Sequence, residues 1–268
     1  MAEKAMIVDT SVCMGCRGCQ VACKQWNDLP AENTNNAGSY ENPPDLSYNT
    51  WARVIFNEFE QDGEMAWLFR FHHCLHCTDA ACVRACPTGA LFKHEMGFVS
   101  VDVEKCNGCG YCTYFCPFNV PRLEIRNLLT GEAKVSKCTF CTDRVSNGLP
   151  PACAKTCPAG AIKYGERDEM LAVGRKRVEE LKAKGYPDAY LYGETEMGGL
   201  HQMYVLAHTP SAYGLPEKPQ YPALTNIWQD IIQPLGGLAV GATALGLIIN
   251  FLVARRAMIK KIQERKEA

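Results

Sequence analysis

The chain has 268 residues, with 28 Lys and Arg against 29 Asp and Glu, and a formal net charge of −1. That balance excludes the basic excess by which a protein is drawn to nucleic acid. Sixteen cysteines are too many for ordinary packing in a chain of this size, and disulfide frameworks belong to much shorter secreted chains.

In chain order, Met1 to Thr10 holds neither an arginine pair nor an apolar run, so no secretory signal is expected there. The first cysteine run follows Val8-Asp9 and comprises Cys13, Cys16, Cys19 and Cys23. Asn27 to Thr50, rich in Asn, Pro and Ser, is predicted to be an irregular insertion. Trp51 to Phe59 and Met65 to Phe71, joined across Asp62-Gly63, predict a β-hairpin. The second run is Cys74, Cys77, Cys82 and Cys86, closed by Pro87. A short hairpin is expected around Gly97, and then comes the third run, Cys106, Cys109, Cys112 and Cys116, closed by Pro117. Leu123 to Val135, with Thr130-Gly131 at its tip, predicts another hairpin. The fourth run is Cys138, Cys141, Cys153 and Cys157, closed by Pro158. Asp168 to Lys184 repeats apolar residues at Met170, Val178 and Leu181 and stops before Gly185, as a surface helix does. Tyr186 to Tyr221, with prolines and glycines at intervals, is expected to be an extended tail lying on a partner.

Ile231 to Val253 contains twenty-three residues without a charge, enough to cross a hydrocarbon core of ~30 Å as a helix. Gly237 with Gly241 and Ala242 with Gly246 are small-residue spacings that let helices approach closely, a weak signal for a membrane partner. Six basic residues lie between Arg255 and Lys266, whereas the fifteen residues before Ile231 contain only Lys218. The positive-inside rule then puts the C-terminus in the cytoplasm and the cysteine-rich part on the far side. The expected division is 1–165 for the cysteine domain, 166–222 for the surface helix and partner-binding tail, and 223–268 for the membrane anchor with its basic tail.

The spacing C-x₂-C-x₂-C-x₃-C, followed by proline, suits a cubane iron–sulfur cluster, in which each iron takes one thiolate. Structural zinc takes C-x₂-C pairs and has no use for the third cysteine or for Cys-Pro, so a zinc scaffold is the weaker reading. Glycines between the ligands let the loop wrap tightly, and the prolines fix the backbone behind it. His72, His73 and His76 adjoin the second run, but that run is already complete, so lining a cluster or a protein contact suits them better than ligation. Lys24, Lys105, Lys137 and Lys155 flank cysteines; they either tune cluster potentials by their charge or are plain surface lysines. There is no P-loop, dinucleotide fingerprint or hydrolytic triad, so no catalytic residues are expected.

Runs one and three share Val-Asp, three residues, then Cys-x-Gly-Cys-x₂-Cys; runs two and four share Cys-Pro-x-Gly-Ala-Leu/Ile. The stretch from run two to run three resembles a bacterial two-cluster ferredoxin, a fold in which the fourth cysteine of each run ligates the other cluster. The resemblance implies Cys74, Cys77, Cys82 with Cys116 (tetrad C), and Cys106, Cys109, Cys112 with Cys86 (tetrad D). Runs one and four carry the same signatures in reversed order, as in a circular permutation. Pairing them gives Cys13, Cys16, Cys19 with Cys157 (tetrad A), and Cys138, Cys141, Cys153 with Cys23 (tetrad B). Lys24 stands where run one should have proline. Pairing by chain adjacency, one with two and three with four, stays open. The fold class expected is α+β: two ferredoxin-like [4Fe-4S] subdomains in one globular unit, plus a single C-terminal transmembrane helix.

The four runs, the eleven-residue gap from Cys141 to Cys153 and the terminal apolar helix resemble the iron–sulfur (beta) subunit of membrane-bound formate dehydrogenase. HHCLHCTDAACVRACPTGAL and CTFCTDRVSNGLPPACAKTCPAGAI are typical of the wider four-cluster family that serves molybdopterin oxidoreductases. The resemblance implies a non-catalytic electron-transfer subunit with four [4Fe-4S] clusters. Its partners would be a molybdopterin or tungstopterin catalytic subunit and a membrane cytochrome b leading to quinone. It implies a bacterial inner membrane location with the globular part periplasmic, exported folded on the partner's signal. The outer pair of runs would face the catalytic subunit, and tetrad D would be the exit. The equivalent subunit of a membrane-bound hydrogenase or of a quinol-linked reductase is the alternative.

Overall fold

A computed structural model describes residues 2–36, 38–61, 63–222 and 227–267, so Asp62 of the first expected turn and the expected boundary at residue 223 lie outside them. The chain divides into two compact units, Met1–Tyr221 and Pro222–Ala268.

The first unit is organised by β1 (Lys4–Asp9), whose sequence KAMIVD is apolar on both faces, as a strand covered on both sides must be. Nine further strands and six α-helices among the described residues complete the frame that it starts. In chain order these are α1 (Gly18–Trp26), the hairpin β2 (Arg53–Gln61) and β3 (Glu64–His72), α2 (Ala81–Arg84), and the hairpin β4 (Leu91–Lys93) and β5 (Val99–Val101). Next come α3 (Tyr111–Phe115), the hairpin β6 (Arg122–Asn127) and β7 (Glu132–Ser136), α4 (Thr142–Val145) and α5 (Ala152–Thr156). The last are β8 (Ile162–Glu166), α6 (Arg167–Ala183), β9 (Tyr190–Tyr192) and β10 (Gln202–Leu206). All three expected hairpins and the expected helix are present at nearly the residues anticipated.

The four-stranded sheet has the order β8-β1-β10-β9. β1 runs antiparallel to β8, with Val8 opposite Ile162, and parallel to β10, with Val8 opposite Tyr204. Helix α6 lies against this sheet through buried Met170, Leu171, Gly174, Val178 and Leu181. Gly174 makes that approach possible: a Cβ there would stand 2.6 Å from Ile7 Cδ1 and 2.7 Å from Leu191 Cδ1.

One expectation needs correcting. Tyr186 to Tyr221 is no tail, because it supplies β9 and β10, and β10 is buried along its whole length. Tyr204 donates its hydroxyl hydrogen to the carbonyl of Phe71 at 2.7 Å, and Tyr192 donates to the carbonyl of Pro216 at 2.8 Å. Arg70 of β3 donates Nε–H to the carbonyl of Tyr213 at 2.7 Å. Glycines and prolines had masked two strands of three and five residues, too short to show alternation. The fold therefore has no division at 165/166.

In the second unit, a π-type turn at Trp228–Ile232 leads into α7 (Gln233–Glu267). Within it, Asp230–Lys260 is a 31-residue span of mean hydropathy 2.1, long and apolar enough to cross a membrane. At 1.5 Å per residue it measures about 46 Å, more than the hydrocarbon core requires.

Gly97 turns the β4–β5 hairpin at φ 92°, and a Cβ there would stand 2.1 Å from His201 Cε1. His201 is fully buried and its Nδ1–H is held by the carbonyl of Lys4 at 2.8 Å, so it has no room to give way. Gly97→Ala should therefore destabilise the first unit by about 2 kcal/mol or more, seen as a lowered melting temperature. An unchanged melting temperature would contradict this account of the turn.

Candidate metal centres

Each cysteine run is a loop that feeds a short helix. Cys13 and Cys16 follow β1, while Cys19 and Cys23 lie one turn apart on α1. Cys74 and Cys77 follow β3, Cys82 lies on α2 and Cys86 just past it. Cys106 and Cys109 precede α3, which carries Cys112 and ends at Cys116. Cys138 and Cys141 precede α4, and α5 carries Cys153 and ends at Cys157. The turns between ligands use left-handed backbone at Gly15, Gly108 and Phe140. All sixteen cysteines are free.

The thiols gather into four groups that cut across the runs. Burial raises the Cys13 thiol, and Cys157 and Cys16 are its nearest like-charged neighbours. Burial raises Cys19 too, with Cys13, Cys16 and Cys157 around it. Cys23 is pushed well up by burial and by Cys138 and Cys141, and Cys153 by burial and by Cys23 and Cys141. Cys77 is pushed well up by burial, then by Cys74, Cys116 and Cys82. Burial pushes Cys116 up to about 11 and Cys112 up to about 12, the latter with Cys109, Cys106 and Cys86 beside it. Cys86 is the exception: burial acts to raise it, but N–H groups of Leu91, Thr88 and Ala90 and the Thr88 hydroxyl outweigh this.

The groups also follow one another. Cys19 neighbours Cys23 and Cys153; Cys74 is the foremost charged neighbour of Cys138; Cys112 neighbours Cys82.

The two halves share a hydrogen-bond register. Asp9 donates its N–H to the carbonyl of Ala161 at 2.8 Å, and Asp102 donates to that of Ala90 at 2.7 Å. Val8 faces Ile162 across the β1–β8 pair, and Val101 faces Leu91 across β4–β5. Helix α1 packs on α5, and α2 packs on α3. The Val-Asp stretch before one run thus pairs with the Gly-Ala stretch after its mate in both halves, once in direct chain order and once permuted.

The donor set fits iron–sulfur chemistry. Thiols of different runs lie near one another, and backbone N–H groups of Phe140 and Val135 already point at Cys138 Sγ (3.4 Å) and Cys106 Sγ (3.3 Å). Thiolates this buried and this close repel one another, so they need a strongly positive centre among them to exist at neutral pH. His72, His73 and His76 lie in the core. Burial pushes His72 down to about 2 and His73 to about 3, so both are neutral. His73 and His76 come within 4.8 Å of Cys138, whose thiol also has Cys74, Cys141 and Cys23 as charged neighbours. His76 instead donates Nδ1–H to the carbonyl of Val99 at 3.1 Å, and its ring meets Phe140 edge-on.

Two lysines escaped the sequence reading. Lys93 donates to the carbonyl of Cys77 and Lys134 to that of Cys106, both at 2.8 Å. Neither adjoins a cysteine in sequence, so only strand pairing brings them to a run.

The raised thiols carry a sign. A group whose folded pKa exceeds its unfolded one binds more protons in the folded state, so stability falls as pH climbs from the unfolded to the folded value. For Cys112 and Cys116 that window opens near the ordinary value of 9.0 and extends to about 12 and about 11. The cluster-free chain should therefore show a denaturant midpoint that drops steadily from pH 8 to pH 11. A flat or rising midpoint would contradict it.

Two family models match, both described as 4Fe-4S dicluster domains, one over residues 12–90 and one over residues 65–167. They overlap on run two and so do not divide the runs into pairs, but they assign the cofactor class to iron–sulfur. The nitrate-inducible formate dehydrogenase iron–sulfur subunit of Escherichia coli K12 is 45% identical over 255 residues, covering 94% of this chain and 85% of its own. The formate dehydrogenase iron–sulfur subunit of Haemophilus influenzae is 43% identical over 255 residues, covering 93% and 80%. Formate dehydrogenase 2 subunit beta (cytochrome c-553) of Nitratidesulfovibrio vulgaris is 38% identical over 220 residues, covering 78% and 96%. With cysteines gathered as iron–sulfur ligands require and likeness along nearly its whole length, the chain belongs to the family of formate dehydrogenase iron–sulfur subunits, the electron-transfer subunits of an oxidoreductase complex.

Proposed function

We propose that this chain relays electrons through four [4Fe-4S] clusters, from a molybdenum- or tungsten-pterin subunit that oxidises formate to a membrane cytochrome b and quinone. The observation that carries the reading is the repeated register, Asp9 on Ala161 and Asp102 on Ala90. It supports two ferredoxin-like halves, each built from two runs that exchange their fourth cysteine. Tetrad A is then Cys13, Cys16, Cys19 and Cys157; tetrad B is Cys138, Cys141, Cys153 and Cys23. Tetrad C is Cys74, Cys77, Cys82 and Cys116; tetrad D is Cys106, Cys109, Cys112 and Cys86. A bound cluster supplies one-electron chemistry at a potential set by its surroundings. The chain's own residues hold each cluster by four thiolates, keep water away and order the tetrads A, B, C, D by the neighbours described above.

The order has a direction. The chain leaves the first unit at Tyr221, whose hydroxyl donates to Asp79 Oδ2 at 2.9 Å and accepts from Arg84 Nη1 at 2.8 Å, beside run two. On the family resemblance, the reading takes tetrad A as the entry and tetrad D as the exit. The span Asp230–Lys260 with the basic residues around Arg255 supports a single-pass anchor in a bacterial inner membrane, globular part outside.

Three measurements follow. Formate added to the complex purified through a tag on this chain should reduce its EPR-active clusters; recovery of a hydrogenase large subunit would overturn the formate reading. Cys157→Ala and Cys19→Ala should abolish the same cluster signal, each lowering iron by about four atoms per chain. Loss of different signals would return the pairing to chain adjacency. In spheroplasts, protease added outside should cut the globular unit while a C-terminal epitope survives; digestion of the epitope would reverse the topology.

A further inference from the structure

Of the four lysines that adjoin cysteines in sequence, three are accounted for at or near the surface. Lys24 donates to the carbonyl of Asn49 at 2.7 Å and to Thr50 Oγ1 at 3.2 Å. Lys105 pairs with Asp102 at 3.0 Å, and Lys155 is exposed. Lys137 differs: it is 2% exposed, one of the largest fully enclosed side chains of the core. Its Nζ donates to the carbonyl of Val99 at 2.9 Å and to that of Cys138 at 2.8 Å. The Val99 carbonyl also accepts from His76, so β5 of the inner half and Cys138 of the outer half are held by one ammonium.

No carboxylate pairs with Lys137 among the described residues; the acidic partners of the ion pairs lie elsewhere. A cation enclosed with two carbonyls and no anion is costly unless a negative charge faces it. The titratable groups that it faces are Cys138 of tetrad B, Cys82 of tetrad C and His76. An imidazole is neutral or cationic and offers no negative charge, so the compensating charge must come from the sulfur side. Lys93 and Lys134 each sit on one tetrad only, C and D, through the carbonyls of Cys77 and Cys106. Lys137 alone among these lysines stands between two.

We propose that Lys137 is a fixed positive charge at the junction of the outer and inner halves, which raises the reduction potentials at tetrads B and C and so favours passage of an electron from one half to the other. The inference rests on the cluster assignment proposed above. Reduction adds one negative charge beside Lys137 and breaks no bond; a nearby cation favours that charge, and a low dielectric makes the preference large. Lys137 is a positioning residue: it touches the ligand's carbonyl and acts through it.

The test is an EPR-monitored redox titration of the purified complex carrying Lys137→Gln, Lys137→Met or Lys137→Arg. Gln retains a donor for the carbonyls without the charge, Met retains only the volume, and Arg retains the charge. Cys153→Ala and Cys77→Ala identify the signals of tetrads B and C. Lys137→Gln should lower the reduction equilibrium constant of at least one of these signals tenfold or more, 59 mV for one electron. The signals of tetrads A and D should stay in place, and Lys137→Arg should restore the wild-type midpoint. Unchanged midpoints in Lys137→Gln, an equal shift of all signals, or an equal shift in Lys137→Arg would overturn the proposal. Loss of iron in both neutral variants but not in Lys137→Arg would support the need for charge; loss in all three would assign Lys137 to packing and overturn it. Iron and acid-labile sulfide in the wild-type complex report separately on the cluster assignment. A deficit there would sink that assignment and the inference with it, whereas full loading with unshifted midpoints would overturn the role of Lys137 alone.

Discussion

Everything in the first unit turns on crowding sixteen thiols together, most of them buried or half-buried in a medium of low dielectric. Burial makes a thiolate costly, and neighbouring thiolates make each other costlier, as the raised thiols of Cys23, Cys77, Cys138 and Cys153 record. The same conditions that oppose free thiolates favour a metal centre among them and keep water from its sulfides. Enclosure therefore serves both retention of the cofactor and its tuning. The protein meets this demand with loops too short to bury anything alone, so the burial has to come from the scaffold around them.

That scaffold is the sheet centred on β1. It joins residues from both ends of the first unit: β8 follows run four, and β10 lies nearly two hundred residues from β1, yet each pairs with it directly. The arrangement closes the outer half around the inner one. It also explains why the stretch after residue 166 is indispensable to the fold: without β10 the buried face of β1 would be open to water, and the cysteine core beneath it would lose its cover. The tyrosines at 192 and 204, whose hydroxyls end on backbone carbonyls, fix that cover to the β2–β3 hairpin and to the chain's exit.

Much of the site was legible because local spacing dictates it. A thiolate loop that wraps a cubane needs ligands two residues apart, and a helix brings its own ligands four apart, so run membership was readable without a structure. Hairpins at Gly97 and Thr130-Gly131 were readable for the same local reason: a turn residue between two alternating stretches. The strands β9 and β10 were not, since three and five residues hold too little periodicity, and β10 is buried at every position and so shows no alternation. Lys93 and Lys134 were equally hidden, because their carbonyl partners, Cys77 and Cys106, lie in cysteine loops well away from them in sequence.

The sequence by itself determined the chemistry. Four runs of cysteine, three of them ending in Cys-Pro, specify iron–sulfur ligation, twenty-three uncharged residues specify a membrane-length helix, and the repeated Val-Asp and Gly-Ala signatures mark which runs are alike. Those are properties of spacing and composition, which act over a few residues. Only the tertiary structure showed that thiols of different runs lie near one another, that the last part of the first unit closes the central sheet, and that Lys137 is enclosed while Lys105 and Lys155 are exposed. The sheet joins strands far apart in the chain, Lys137 reaches the carbonyl of Val99 38 residues away, and burial is a property of what packs around a side chain, which no local pattern contains.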